Sequence, residues 1–104
     1  MTRDETLNLL FEYTKSDSLR KHAFAVESAM RAYARKFGQN EEEWGVTGLI
    51  HDFDYEMYPT APEHPLKGSE ILKAKGYSDE IRTAILGHAS YTNVPRESLM
   101  AKAL

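Results

Sequence analysis

The apolar residues of this chain recur at helical spacing in short runs, each closed by a breaker. Leu7, Leu10, Phe11 and Tyr13 form a first run, with Thr2 and Glu5 at capping-box spacing ahead of it. Ser16-Asp17-Ser18 offers several N-caps for the longest helix, whose apolar residues Leu19, Ala23, Val26, Met30, Tyr33 and Phe37 fall three or four apart. Gly38 ends that run, as a left-handed residue after a helix does. Asn40 ahead of Glu41-Glu42-Glu43 combines a cap with negative charge at the positive end of a dipole, and so opens a third helix carrying Trp44, Thr47, Ile50 and His51. Between Asp52 and Pro65 the period stops, and Pro59, Pro62 and Pro65 predict a loop. Pro65 suits the first position of a fourth helix with Leu66, Ser69, Ile71 and Leu72, ended by Gly76. Ser78-Asp79-Glu80 caps a fifth, with Ile81, Ala84, Ile85 and His88 on one face. A sixth is expected from Pro95 through Leu99, Met100, Ala103 and Leu104. No alternating stretch is long enough for a strand, so the pattern predicts an all-α bundle of five to six helices.

The same pattern sorts the histidines. His22 falls in the stripe of Leu19, Ala23 and Val26 and is expected to face the core. His51 continues the face of Trp44 and Thr47, and His88 that of Ile81, Ala84 and Ile85. His64 stands directly before Pro65, at the expected N-cap of the fourth helix. A buried imidazole must find a partner. One inward histidine is commonly satisfied by a carbonyl or a carboxylate. Three from three helices must satisfy each other or converge on a cation. The pair His51-Asp52 closes an apolar helix, where the turning backbone lets both side chains reach one ion. Imidazole and carboxylate donors suit Mn, Fe, Ni, Co or Zn better than Ca, with Mg as a further candidate, as one ion or two.

Composition narrows the field. A chain of 104 residues fits a single domain, 1–104. Without cysteine, thiolate metal sites, disulfides and cysteine nucleophiles are excluded. A net charge of −3 gives no field that draws phosphate backbones or anionic lipid, so neither non-specific nucleic-acid binding nor a membrane partner is expected. The polar N-terminus does not look like a signal peptide, and no apolar run has bilayer length, which makes a soluble cytoplasmic protein the expectation.

The order His22, then His51-Asp52 after a long gap, then His64 within His64-Pro65-Leu66-Lys67-Gly68-Ser69-Glu70-Ile71-Leu72, then His88, resembles the HD superfamily of metal-dependent phosphohydrolases, and within it small bacterial HDIG-type proteins. The resemblance runs from about Leu19 to the C-terminus. It implies an all-α fold and His22, His51 and Asp52 as metal ligands. It places His64 and His88 where members contact a second metal or the substrate phosphate. It implies a small phosphorylated molecule or a nucleotide as substrate, with a metal-activated water attacking phosphorus and Asp52, His64 and His88 as catalytic residues. Two departures stand out. The family's ligand set ends with an aspartate on a later helix, and no aspartate follows Asn93 here. The doublet is followed by Phe53-Asp54, where many members have isoleucine-glycine and then a lysine. The chain also stops inside its sixth apolar pattern, which leads to the expectation of a fragment lacking the last helices, and of self-association as a homo-oligomer.

Several neighbours carry two readings each. Lys67, Arg20 and Lys21 could bring positive charge to a substrate or be solvated surface residues, and Lys67 is the one assigned to substrate. Glu27 could orient His22 or be an exposed helical glutamate. Asp54 could be a spare ligand, a general base, or a loop aspartate bonded to its own turn. Phe53, Tyr55 and Tyr58 could wall a pocket or pack the loop onto the core. For the whole chain, the alternative to a phosphohydrolase is a non-catalytic HD module that holds a metal or a partner. A plain bundle with satisfied histidines leaves the convergence unexplained.

Overall fold

The computed structural model describes residues 2–57, 63–88, 96 and 98–104, with 63–65 by their backbone alone. Six helices follow one another: α1 (Arg3–Tyr13), α2 (Asp17–Phe37), α3 (Glu41–Ile50), α4 (Glu63–Ala74), α5 (Asp79–Gly87) and α6 (Leu99–Ala103). No strand occurs among the described residues. Four starts are capped by the chemistry the sequence offers. The side chains of Thr2, Ser16, Asn40 and Ser78 accept backbone N–H bonds from Glu5, Leu19, Glu43 and Ile81. Gly38 and Gly76 take the left-handed φ values of 66° and 89° that end α2 and α4.

The centre of the fold is α3, in which every residue from Trp44 to Ile50 is buried. Two glycines let α2 lie against it. A Cβ on Gly48 would stand 2.8 Å from the Val26 carbonyl oxygen, and one on Gly45 would meet the Arg31 side chain. The facing side of α2 buries Ala23, Glu27, Met30 and Ala34. That stripe differs from the expected one: Tyr33 and Phe37 are 44% and 42% exposed. The small Ala34 permits the close approach that a ring at that point would block, so the buried line runs one residue later than the aromatic positions suggested. On the other side, α1 packs on α3, and its Thr6 hydroxyl meets the buried Tyr77 hydroxyl at 2.6 Å, tying α1 to the turn between α4 and α5. Further along, α4 packs on α5 and α5 on α6.

Two boundaries move. The fourth helix begins at Glu63, so His64 lies inside its first turn instead of capping it. Pro65 is still within the first turn, where its missing N–H costs no intrahelical bond. The sixth helix begins only at Leu99, capped by the Ser98 hydroxyl on the Ala101 N–H. Pro95, the expected start, lies outside the described residues. The side chain of Arg96 bonds the Gly87 and His88 carbonyls at 2.8 and 2.9 Å, closing the end of α5. No helix among the described residues is long and apolar enough to cross a membrane.

Candidate metal centre

Three helices bring imidazoles to one place. His51 is the C-cap of α3 and is buried. His88 is the C-cap of α5. His22 comes from the first half of α2. The His51 ring centroid lies 5.4 Å from that of His22 and 5.3 Å from that of His88, so His51 is the middle of the row. Asp52 completes the group: its Oδ1 is 3.4 Å from His88 Nε2, and its Oδ2 is 3.9 Å from His51 Nε2.

One donor atom each from His22, His51 and Asp52 falls within 4.8 Å of the others, and these three could hold a metal ion. The donors suit one chemically. At bond lengths of about 2.0–2.2 Å, ligand atoms on one ion sit roughly 3–4 Å apart, so a small side-chain contraction closes the set. The tautomer suits it too. His51 Nδ1 lies 2.7 Å from the Gly48 carbonyl oxygen, and His88 Nδ1 meets the Ile85 carbonyl. A carbonyl only accepts, so each Nδ1 carries a proton; the Nε2 of His51 is left with its lone pair, while that of His88 is turned to the Asp52 carboxylate. Both contacts arise in the same way, from a histidine at a helix C-cap reaching back to a carbonyl three residues earlier.

The buried imidazole of His51 and the half-buried one of His88 respond oppositely to this setting. Burial lowers the His51 pKa, the neighbouring His88 and His22 push the same way, and the Asp52 charge and the Gly48 carbonyl only partly oppose them. His51 is therefore held neutral, as a ligand must be. Burial would lower His88 as well, but its bond to Asp52, the Ile85 carbonyl and the Asp52 charge outweigh that and raise its pKa above the usual 6.5, against a small opposing effect of Arg96.

The sequence-derived assignments divide accordingly. The structure brings together His22, His51, Asp52 and His88. His22 does not face the core: it is exposed, one residue before the buried Ala23. A step of about 100° along α2 moves it from the buried line to the rim, where it overhangs His51. His64 is placed in the first turn of α4, and its side chain lies outside the described residues. Lys67 is half exposed and lies 3.9 Å from Glu70. Arg20 takes the structural role, bonding the Thr14 and Phe11 carbonyls and covering the Phe11 ring at 3.9 Å. Lys21 is exposed.

Glu27 follows neither of its readings. It is buried and takes bonds from Arg3 at 2.7 and 3.0 Å and from Arg31 at 3.0 and 3.2 Å. The spacing Glu27–Arg31 is an ordinary helical pair and could have been found; Arg3, from another helix, carried no signal. Asp54 reaches well beyond its own turn, accepting the Gly68 N–H at 2.9 Å. Glu56 accepts the N–H groups of Lys15 and Ser16 at 2.6 and 3.1 Å. Phe53 is buried edge-on to Tyr13 at 5.2 Å and packs the turn onto the core. Tyr55 is exposed, and Tyr58 lies outside the described residues.

The profile of the HD domain matches residues 19–102 of this chain, which spans all six of the assigned positions from His22 to His88. No curated protein and no solved structure matches it. The chain belongs to the HD-domain family.

Proposed function

We propose that this HD-domain chain is a metal-dependent phosphohydrolase acting on a small phosphate ester, with nucleotides as the first substrate class to try. The observation that carries the proposal is the donor cluster of His22, His51 and Asp52, backed by the Gly48 carbonyl that fixes the tautomer of His51. A divalent transition metal held by His22, His51 and Asp52 supplies Lewis acidity toward a phosphoryl oxygen and a water.

The chain's own residues do the rest. Asp52 brings the one negative charge to three imidazoles. His51 is kept neutral by burial and enters as a ligand without first losing a proton. His88 holds a proton on the Asp52 side of the site, and we assign it to protonate the leaving ester oxygen as the P–O bond breaks. His64, at the start of α4, is assigned to the substrate phosphate or a second ion. Lys67, one turn further, is assigned to the substrate's remaining charge.

A second reading has one observation in its favour. Of the three acidic residues in the turn, Asp54 and Glu56 are engaged by backbone N–H groups, so Asp52 alone supplies a carboxylate to the donor cluster. A site with so little negative charge is also compatible with a module that holds a metal or a partner without turnover. Elemental analysis of the purified chain beside a His51→Ala/Asp52→Ala double variant, followed by a phosphate-ester screen with Mn, Co, Ni, Fe, Zn and Mg, separates the two. Stoichiometric metal with hydrolysis, both lost in the variant, supports the enzyme. Stoichiometric metal without hydrolysis of any ester supports the module. No metal in either protein, with both folded, defeats the enzyme and the metal-holding module and leaves a module that holds a partner.

A further inference from the structure

Asp54 sits two residues past Asp52 and is only 1% exposed. Its Oδ2 accepts the backbone N–H of Gly68, fourteen residues later in the middle of α4. The glycine is required by that contact. A Cβ on Gly68 would stand 2.5 Å from Oδ2 and 2.6 Å from the carboxylate carbon. A carboxylate meeting a buried amide is a charge-assisted bond, among the stronger ones a protein makes.

The register of α4 gives this bond a consequence. His64 stands four residues before Gly68, roughly 40° away around the helix, so the two positions share one face. Two carboxylates from the same short turn thus hold it from opposite ends. Glu56 ties it to the corner between α1 and α2, and Asp54 ties it to α4. Asp52, ahead of them in sequence, is the one that meets the imidazoles.

We propose that Asp54 is a positioning residue: through the Gly68 N–H it sets the spacing between the His51–Asp52 turn and the face of α4 that carries His64. Its effect on turnover rests on the phosphohydrolase reading; the latch itself does not. In this assignment the Asp54 Oδ2 serves the backbone of α4 and not the ion. The arrangement makes an unusual demand on Gly68, whose substitution is harmful because of Asp54 and not because of the helix.

Amide hydrogen exchange of the full chain tests the latch, and hydrolysis of a chromogenic phosphate ester by the metal-loaded chain tests its consequence. Asp54→Ala is expected to speed exchange across residues 66–72 by about tenfold or more while leaving α2 and α3 unchanged. Asp54→Asn keeps an accepting oxygen and is expected to restore slow exchange. Gly68→Ala is expected to behave like Asp54→Ala in the parent but to add little in an Asp54→Ala background, where the clashing carboxylate is gone. In hydrolysis, kcat is expected to fall on the order of 100-fold in Asp54→Ala, with bound metal unchanged and most of the rate recovered by Asp54→Asn. Parent-like exchange in Asp54→Ala overturns the latch. Loss of bound metal with α4 exchange unchanged makes Asp54 a ligand and also overturns it. A parent that hydrolyses no ester defeats the phosphohydrolase reading instead, and the exchange data still decide the latch.

Discussion

Two polar clusters are built into α2, five residues apart, and they are satisfied in opposite ways. At Glu27 one buried carboxylate faces two guanidinium groups, with Glu42 accepting from Arg31 and from the Arg3 N–H behind them. Cations and anions there are matched within the protein. At His22 the same helix contributes to a row of three imidazoles around a single carboxylate. Neutral imidazoles contribute lone pairs, and His22, His51 and Asp52 together could hold a cation. The first cluster is charge-matched as it folds, and the second presents a donor set that could take an ion. Polar burial alone does not mark a functional site; the balance of donors and acceptors does.

The contrast can be broken most sharply at its functional end. In the His51→Ala/Asp52→Ala double variant, metal affinity is expected to fall by at least about 1000-fold, more than the roughly 10–100-fold that loss of a supporting outer group costs. Isothermal titration with Co or Mn reads this, and retained stoichiometric binding would move the site elsewhere. Glu27→Ala should do the reverse. It leaves two guanidinium groups against a partly buried gap, and because Arg3 is substantially exposed the cost is set below that of a fully buried pair, at about 2–3 kcal/mol in urea unfolding. Metal stoichiometry of the folded fraction should not change.

Acid should separate the clusters as well. Burial would raise the Glu27 carboxyl, but the bonds and charges of Arg3 and Arg31 outweigh it and hold it below 4.5. A depressed carboxyl stabilises the fold above its unfolded value, and that stability is lost as pH falls through the lowered folded value. Stability measured between pH 5 and 2 should therefore fall less steeply in Glu27→Gln than in the parent. At the other cluster, His51 is depressed, so its contribution is present above 6.5 and fades as pH falls through its folded value. His88 is raised, so its contribution is present below 6.5 and fades as pH rises through its folded value. These windows lie on opposite sides of 6.5, so the pair's contribution to metal-free stability should be largest near that pH and fall off on either side. Metal affinity has no such maximum there. It should weaken steadily as pH falls, because protons compete with the ion for imidazole nitrogens, and binding insensitive to pH between 8 and 5 would count against an imidazole site. The smallest effect is expected at Lys67→Ala, whose exposed pair with Glu70 contributes at most about 0.5 kcal/mol to stability. Any larger consequence should appear only in KM.

The helices were legible because their ends are written in short-range chemistry. Thr2, Ser16, Asn40 and Ser78 cap helices in the structure as their spacing predicts, and Gly38 and Gly76 stop them. The gathering of His51, Asp52 and His88 was legible as well, from inward periodicity and from the family resemblance. What failed did so for reasons of packing. Periodicity placed His22, Tyr33 and Phe37 inside, but the glycines of α3 draw α2 in along Ala23, Met30 and Ala34, and a shift of one residue is enough to turn a side chain outward. The partners of Glu27 and Asp54 were hidden because Arg3 and Gly68 are far off in sequence, and only the tertiary fold brings them near.

The close seat of α3 on α2 has a kinetic consequence. These helices are consecutive, joined by a three-residue turn at Gly38, and their contact is the most extensive between any two elements. Contacts that close short loops form early, because little chain entropy is lost before they are made. The hairpin of α2 and α3, with His51 as its C-cap, is therefore the expected folding nucleus. In a chevron, Gly48→Ala should act mainly by slowing refolding, whereas Leu72→Ala, in α4, should act mainly by speeding unfolding. His22 and His51 belong to the early hairpin and His88 to what docks afterwards. Two of the candidate donors would thus be together while the C-terminal helices are still unfolded, and the Asp52 carboxylate beside them would give His88 and α5 a point on which to dock.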